Sequence, residues 1–228
     1  MKVSWRTELP QWIVIAAMFG LAAWAWPRLS DPIPIHWNIH GEIDGYGNKF
    51  VGLLLLPLIT LGLYCLLRLV HLIDPGGQNY ASFTTALTVI RMSIIFMLAI
   101  IYGTAVLATF GNNVNIATIS CFAAGALFMI LGNFMSKIRP NWFIGVRTPW
   151  TLSSKMSWNK TNRLAGWLFM VMGLFVIALG VFQTTWLLIL MLAIDAACIL
   201  SIIVYSYRVY RQDPNPAGPA GISPENQT

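Results

Sequence analysis

Charge is scarce in this chain. Aspartate, glutamate, lysine and arginine make up 10% of its 228 residues and apolar residues 57%, where soluble domains carry about 25% and roughly 45–50%. A water-solvated globule would need more surface charge than this, so a bilayer is the main solvent. Each crossing consumes about 20 residues, and six would absorb roughly 120. That leaves no room for a separate soluble enzyme domain.

Histidine and cysteine are equally sparse. Cys65, Cys121 and Cys198 each fall inside an apolar run, and an odd number so placed builds no disulfide framework. Only His71 of the three histidines reaches an apolar run, and those runs hold one acid, Asp195. A membrane-embedded zinc or paired-aspartate hydrolase therefore lacks its ligands. The expectation is a non-enzyme without metal or cofactor.

What is present is a set of six apolar runs, near 11–26, 51–72, 90–110, 116–135, 164–183 and 186–207. Backbone groups in hydrocarbon must be paired within their own segment or across a closed barrel, and runs of this length suit helices. The fold class is thus an all-α integral membrane bundle of six spans. Lys2, Arg6 and Ala23-Trp24-Ala25 also fit a secretory signal peptide, but bulky Trp26 and Pro27 would follow the cut, and the first run is read as an anchor.

The net charge of +6 marks topology rather than nucleic-acid binding. With both termini cytoplasmic, Lys2, Arg6, Arg68, Arg91, Lys137, Arg139, Arg147, Lys155, Lys160, Arg163, Arg208 and Arg211 lie inside, leaving Arg28 and Lys49 outside. Twelve against two sets the orientation in a bacterial plasma membrane. The chain divides into 1–50, the first span and an extracytoplasmic loop; 51–135, spans two to four; 136–211, a cytoplasmic loop and spans five and six; and 212–228, a proline-rich tail expected to be disordered. Pro57 alone interrupts a span.

Two connections exceed simple turns, and long connections in small proteins tend to hold function. The outer one has prolines at 32 and 34 and glycines at 41, 45 and 47, which favour a compact fold. His36, His40, Glu42 and Asp44 could ligate a metal, but a hydrogen-bonded loop histidine is the preferred reading. The inner one places basic residues beside Trp142, Trp150 and Trp158, as an interfacial anchor does. Asn141, Gly145, Arg147 and Thr148 add turn and hydrogen-bonding capacity that anchoring alone does not need.

Pro34, His36, Asn38 and Gly41 form a Pro-x-His-x-Asn-x-x-Gly pattern after the first span, and Asn141, Gly145, Arg147, Thr148, Pro149, Thr151 and Leu152 form a second, followed by Trp158, Asn162 and Gly166. Asp74-Pro75 and Asn79 precede span three. Together these resemble SdpI-type proteins along spans one to six. The resemblance implies immunity against a secreted antimicrobial peptide toxin and, in the best-understood kind, holding of a transcriptional repressor at the membrane. Candidate binding residues are Pro34, His36, Asn38, Gly41 and Asp44 outside, and Asn141, Gly145, Arg147, Thr148, Pro149, Trp158 and Asn162 inside. Membrane lipid, the toxin and a cytoplasmic repressor are the expected partners.

Asp195 lies nine residues into the sixth run, where a carboxyl costs about 2.5–3.5 kcal/mol unless protonated or paired. It is expected to face the bundle interior as a neutral, hydrogen-bonded group, with Thr60 and Tyr102 at the same depth as partners. A small transporter with a polar path through these three residues is the alternative function.

Overall fold

The computed structural model describes residues 5–214 and 216. Helices long and apolar enough to cross a membrane span Trp5–Arg28, Phe50–Ile73, Gly77–Thr109, Ile116–Met135, Lys155–Phe182 and Thr185–Arg211. The protein is an all-α, multi-pass membrane bundle. Its α-helices are α1 (Trp5–Ala25), α2 (Leu56–Ile73), α3 (Thr84–Thr109), α4 (Ile116–Met135), the short α5 (Pro149–Ser153), α6 (Lys155–Phe182) and α7 (Thr185–Arg211). Two strands, β1 (Ile33–Trp37) and β2 (Ile43–Gly47), pair antiparallel between α1 and α2. Six alternating spans bring both described chain ends to the face opposite this hairpin. Most of the expected disordered tail, 215 and 217–228, lies outside the described residues, as does Lys2.

Helix ends differ from the apolar runs where a cap, not hydropathy, sets the boundary. α6 starts nine residues before its run because the Ser154 hydroxyl accepts the Ser157 N–H at 2.9 Å. Trp158 and Asn162 therefore belong to a helix, not to a loop. α5 is held by a capping box in which Thr148 and Thr151 serve each other's backbone N–H groups.

Pro57 does not interrupt its span. It sits in the first turn of α2, directly after a π-helical turn over Phe50–Leu55. Proline has no N–H to give to the Leu53 carbonyl four residues back, and the Tyr102 hydroxyl donates to that oxygen at 3.0 Å.

α3 joins two halves, packing against α1 and α2 on one side and α4 on the other, while α7 packs on α6 and α5. The tightest pair is α4 with α6, and glycine is the reason. A Cβ on Gly132 would lie 2.5 Å from the Gly166 carbonyl oxygen, and one on Gly125 would lie 2.7 Å from that of Gly173. These glycines recur every seven residues on both helices, which lines them up on facing sides and lets the backbones meet. One core at the hairpin end gathers Met18, Ala22, Ile33, Leu53, Tyr102 and Val106. Another at the opposite end gathers Tyr80, Phe83, Leu87, Ile138, Trp158 and Ala165.

One orientation marker needs correction. Arg91 is fully buried inside the bundle and paired with Glu8 of α1, so its charge is held by a partner acid and does not lie free at the membrane surface.

Candidate functional site

At the hairpin end, Asn38 organises the turn. Its side-chain oxygen accepts the His40 and Glu42 N–H groups at 2.9 and 3.0 Å, and its amide donates to Glu42 Oε2 at 2.8 Å. Gly41 takes φ +80° at the tip, a conformation glycine adopts without steric cost. His36 Nδ1 meets Asp44 Oδ1 across the strands at 2.5 Å, and Pro34 pairs with Tyr46. His36 lies in β1 and His40 in the turn, so no helix face carries both imidazoles. The base is pinned by Lys49, whose N–H donates to Asp31 Oδ1 at 2.6 Å and whose ammonium donates to the Trp26 and Leu29 carbonyls.

Beneath the hairpin lies a cavity of about 520 Å³. Ile35 and Trp37 of β1, Leu53 of the π-helical turn, Tyr102 of α3, Ile116 of α4 and Leu179 of α6 contribute to its wall. The wall is mainly apolar, with His36, Asn38 and Ser120 as polar points. Such a concave, apolar site with a few polar groups is the usual form of a binding pocket. Of the five outer candidates, Pro34, His36 and Asn38 line the cavity, Asp44 meets His36, and Gly41 sits at the hairpin tip.

The opposite end is built around Asp74, a residue whose type alone does not distinguish it. Its carboxylate accepts the Gly76 N–H at 2.6 Å, the Tyr80 hydroxyl at 2.6 Å and the Trp142 N–H at 3.0 Å. Asn79 donates to the Pro140 carbonyl at 2.8 Å. The Asp74-Pro75 turn and the 139–147 loop, far apart in sequence, are thus one unit. Asn141, fully buried, accepts the Phe143 and Ile144 N–H groups and donates to the Arg139 and Ile144 carbonyls.

Gly145 passes close to α6 with φ +106°, and Asn162 Oδ1 accepts the next N–H, that of Val146, at 2.9 Å. The Trp158 indole is fully buried and donates to the Ile138 carbonyl at 2.9 Å; it is a core residue, not an interfacial anchor. Thr148 meets Ser206 of α7 at 3.1 Å. The seven inner candidates therefore divide by position. Asn141, Trp158 and Asn162 are buried supports, Gly145 and Thr148 shape the chain, and Arg147 and Pro149 are exposed. One Arg147 Nη donates to the Trp142 carbonyl at 2.6 Å, which aims the guanidinium.

Residues 137–206, which contain this loop with α6 and most of α7, match the SdpI/YfhL protein family. Residues 13–61, which contain the hairpin, match a domain of unknown function, DUF1648. Immunity protein SdpI of Bacillus subtilis (strain 168) is 25% identical over 200 residues, 88% of this chain and 94% of that protein. The chain is thus similar to SdpI-type membrane proteins. No solved structure matches it. One matched segment contains the hairpin and the other the 139–147 loop, and α3, which joins the halves, lies between them.

Asp195 departs from expectation. Thr60 donates back to the Leu56 carbonyl at 2.8 Å and Tyr102 to Leu53. Both lie on α2 and α3, whereas Asp195 is on α7. Its Oδ1 is buried with no hydrogen-bond partner among the described residues. Helix rise places groups at a depth but not in a sector of the bundle, and neither Thr60 nor Tyr102 hydrogen-bonds Asp195, so the expected clasp is not formed.

Proposed function

We propose that this protein resides in a bacterial cell membrane with both termini in the cytoplasm and protects the cell by binding a secreted peptide toxin. The observation that carries the reading is the apolar cavity beneath the pinned hairpin, sized for a few large side chains of an amphipathic peptide. The relative's name, an immunity protein, supports the class of function. Binding suffices for protection, and no chemical step is required. Orientation is supported by the hairpin end, where the two basic residues Arg28 and Lys49 both donate to backbone carbonyls. At the cytoplasmic end, Arg147 and Pro149 on their buried supports form a contact for a second partner, such as a transcriptional repressor held at the membrane.

The test is survival of a strain lacking the gene, with and without the protein, against peptides secreted by related strains. Ala105→Phe fills the cavity from α3 and is expected to reach the membrane normally yet lose protection. Undiminished protection would remove the cavity as the site. Cysteines introduced at Asn48 and Lys155 report the orientation: external labelling of Asn48→Cys alone is expected, and external labelling of Lys155→Cys would reverse it.

A further inference from the structure

A second built site lies between α1, α2 and α3, near the end opposite the hairpin. Arg91 is fully buried, with Nε donating to Gln11 Oε1 at 2.8 Å and Nη2 to Glu8 Oε1 at 2.6 Å. Its guanidinium carbon lies 5.2 Å from the Tyr64 ring centroid. The Tyr64 hydroxyl donates to Glu8 Oε2 at 2.7 Å, and Arg68 Nε stands 3.8 Å from Glu8 Oε1. One carboxylate thus serves two guanidinium groups and leaves one positive charge in excess. Arg91 Nη1 is buried without a hydrogen-bond partner among the described residues. Unbalanced charge and unused donors away from water are costly, so the cluster calls for an anion.

Beside it opens a cavity of about 460 Å³, walled by Trp12, Tyr64, Arg68, Leu69, His71 and Leu72. Its polar groups are the Arg68 guanidinium, partly exposed, and the His71 ring. Leu69 and Leu72 are 49% and 70% exposed and face the surrounding lipid. We infer that this cavity binds the phosphate of an anionic phospholipid, with the Arg68 fork on the headgroup and the leucines against an acyl chain. Arginine suits this task because its planar donors grip phosphate oxygens in pairs. Arg68 lies five residues before the end of α2, about 7 Å along the helix axis, which is headgroup depth. That position favours a lipid over dissolved phosphate, which shares the chemistry.

The test is thermal unfolding of the full chain in neutral detergent with phosphatidylglycerol, phosphatidylcholine or inorganic phosphate added. Phosphatidylglycerol is expected to raise the midpoint, and the other two to leave it unchanged. Arg68→Gln and, as a second variant, His71→Phe should lose the shift, while Lys160→Gln, an exposed lysine of α6, keeps it. An equal rise with inorganic phosphate would reassign the site to a free anion and overturn the lipid. An equal rise with phosphatidylcholine, an undiminished shift in both Arg68→Gln and His71→Phe, or its loss in Lys160→Gln would overturn the site itself.

Discussion

Gly145→Ala probes the joint between the exposed Arg147 and its buried support. At φ +106° an alanine carries steric strain of about 1–3 kcal/mol. Its Cβ would also stand 2.7 Å from Asn162 Oδ1 and 3.3 Å from the Trp158 ring. Trp158 is fully buried and cannot yield, so Asn162 must turn away. That breaks the bond from the Val146 N–H and leaves a donor unsatisfied, a further cost of about 1–3 kcal/mol. The sum is roughly 2–6 kcal/mol. In an Asn162→Ala background the bond is already lost and the space is open, so Gly145→Ala should cost only the strain. A four-protein cycle of unfolding midpoints in one detergent isolates the coupling. Gly145→Ala should be the more damaging in the wild-type background. Equal costs in both backgrounds would refute the contact between these positions, and no cost in either would refute the left-handed turn.

The glycine faces between α4 and α6 predict that Gly132→Ala, whose methyl would meet the Gly166 carbonyl, lowers thermal stability by about 1–3 kcal/mol, whereas Gly20→Ala, with nothing within 4 Å, is neutral or gains up to about 1 kcal/mol; a detergent melt of both separates them. Arg147→Lys retains the charge but loses the planar fork that reaches the Trp142 carbonyl; at equal membrane level it should impair protection or inward signalling, and full activity in both assays would leave Arg147 as a lipid contact. Asp195→Leu should accumulate in the membrane at wild-type level or above, because the carboxyl makes no hydrogen bond through Oδ1 and its replacement relieves an insertion cost of about 2.5–3.5 kcal/mol; loss of protection at normal abundance would show that the acid acts in function.

Hydropathy along the chain was enough for the six spans and for the membrane itself, because run length answers to bilayer thickness and apolar content to the solvent. The two long connections were also legible as the places where glycine, proline and hydrogen-bonding residues concentrate. The seven-residue glycine spacing on α4 and α6 was equally visible in the letters, yet its meaning depends on those two helices facing each other. Facing is what a one-dimensional pattern does not contain. Thr60, Tyr102 and Asp195, placed at one depth by helix rise, lie on three different helices, whereas Glu8 and Arg91, 83 positions apart, meet at 2.6 Å. Asp74 likewise becomes the centre of its end only when the 139–147 loop folds back over it. Sequence alone determined which segments are long and apolar enough to cross a bilayer, since transfer free energy is local to each segment. Tertiary structure decided which side chains pair, since a hydrogen bond requires two groups within about 3 Å and only the packing of helices around one another brings them there.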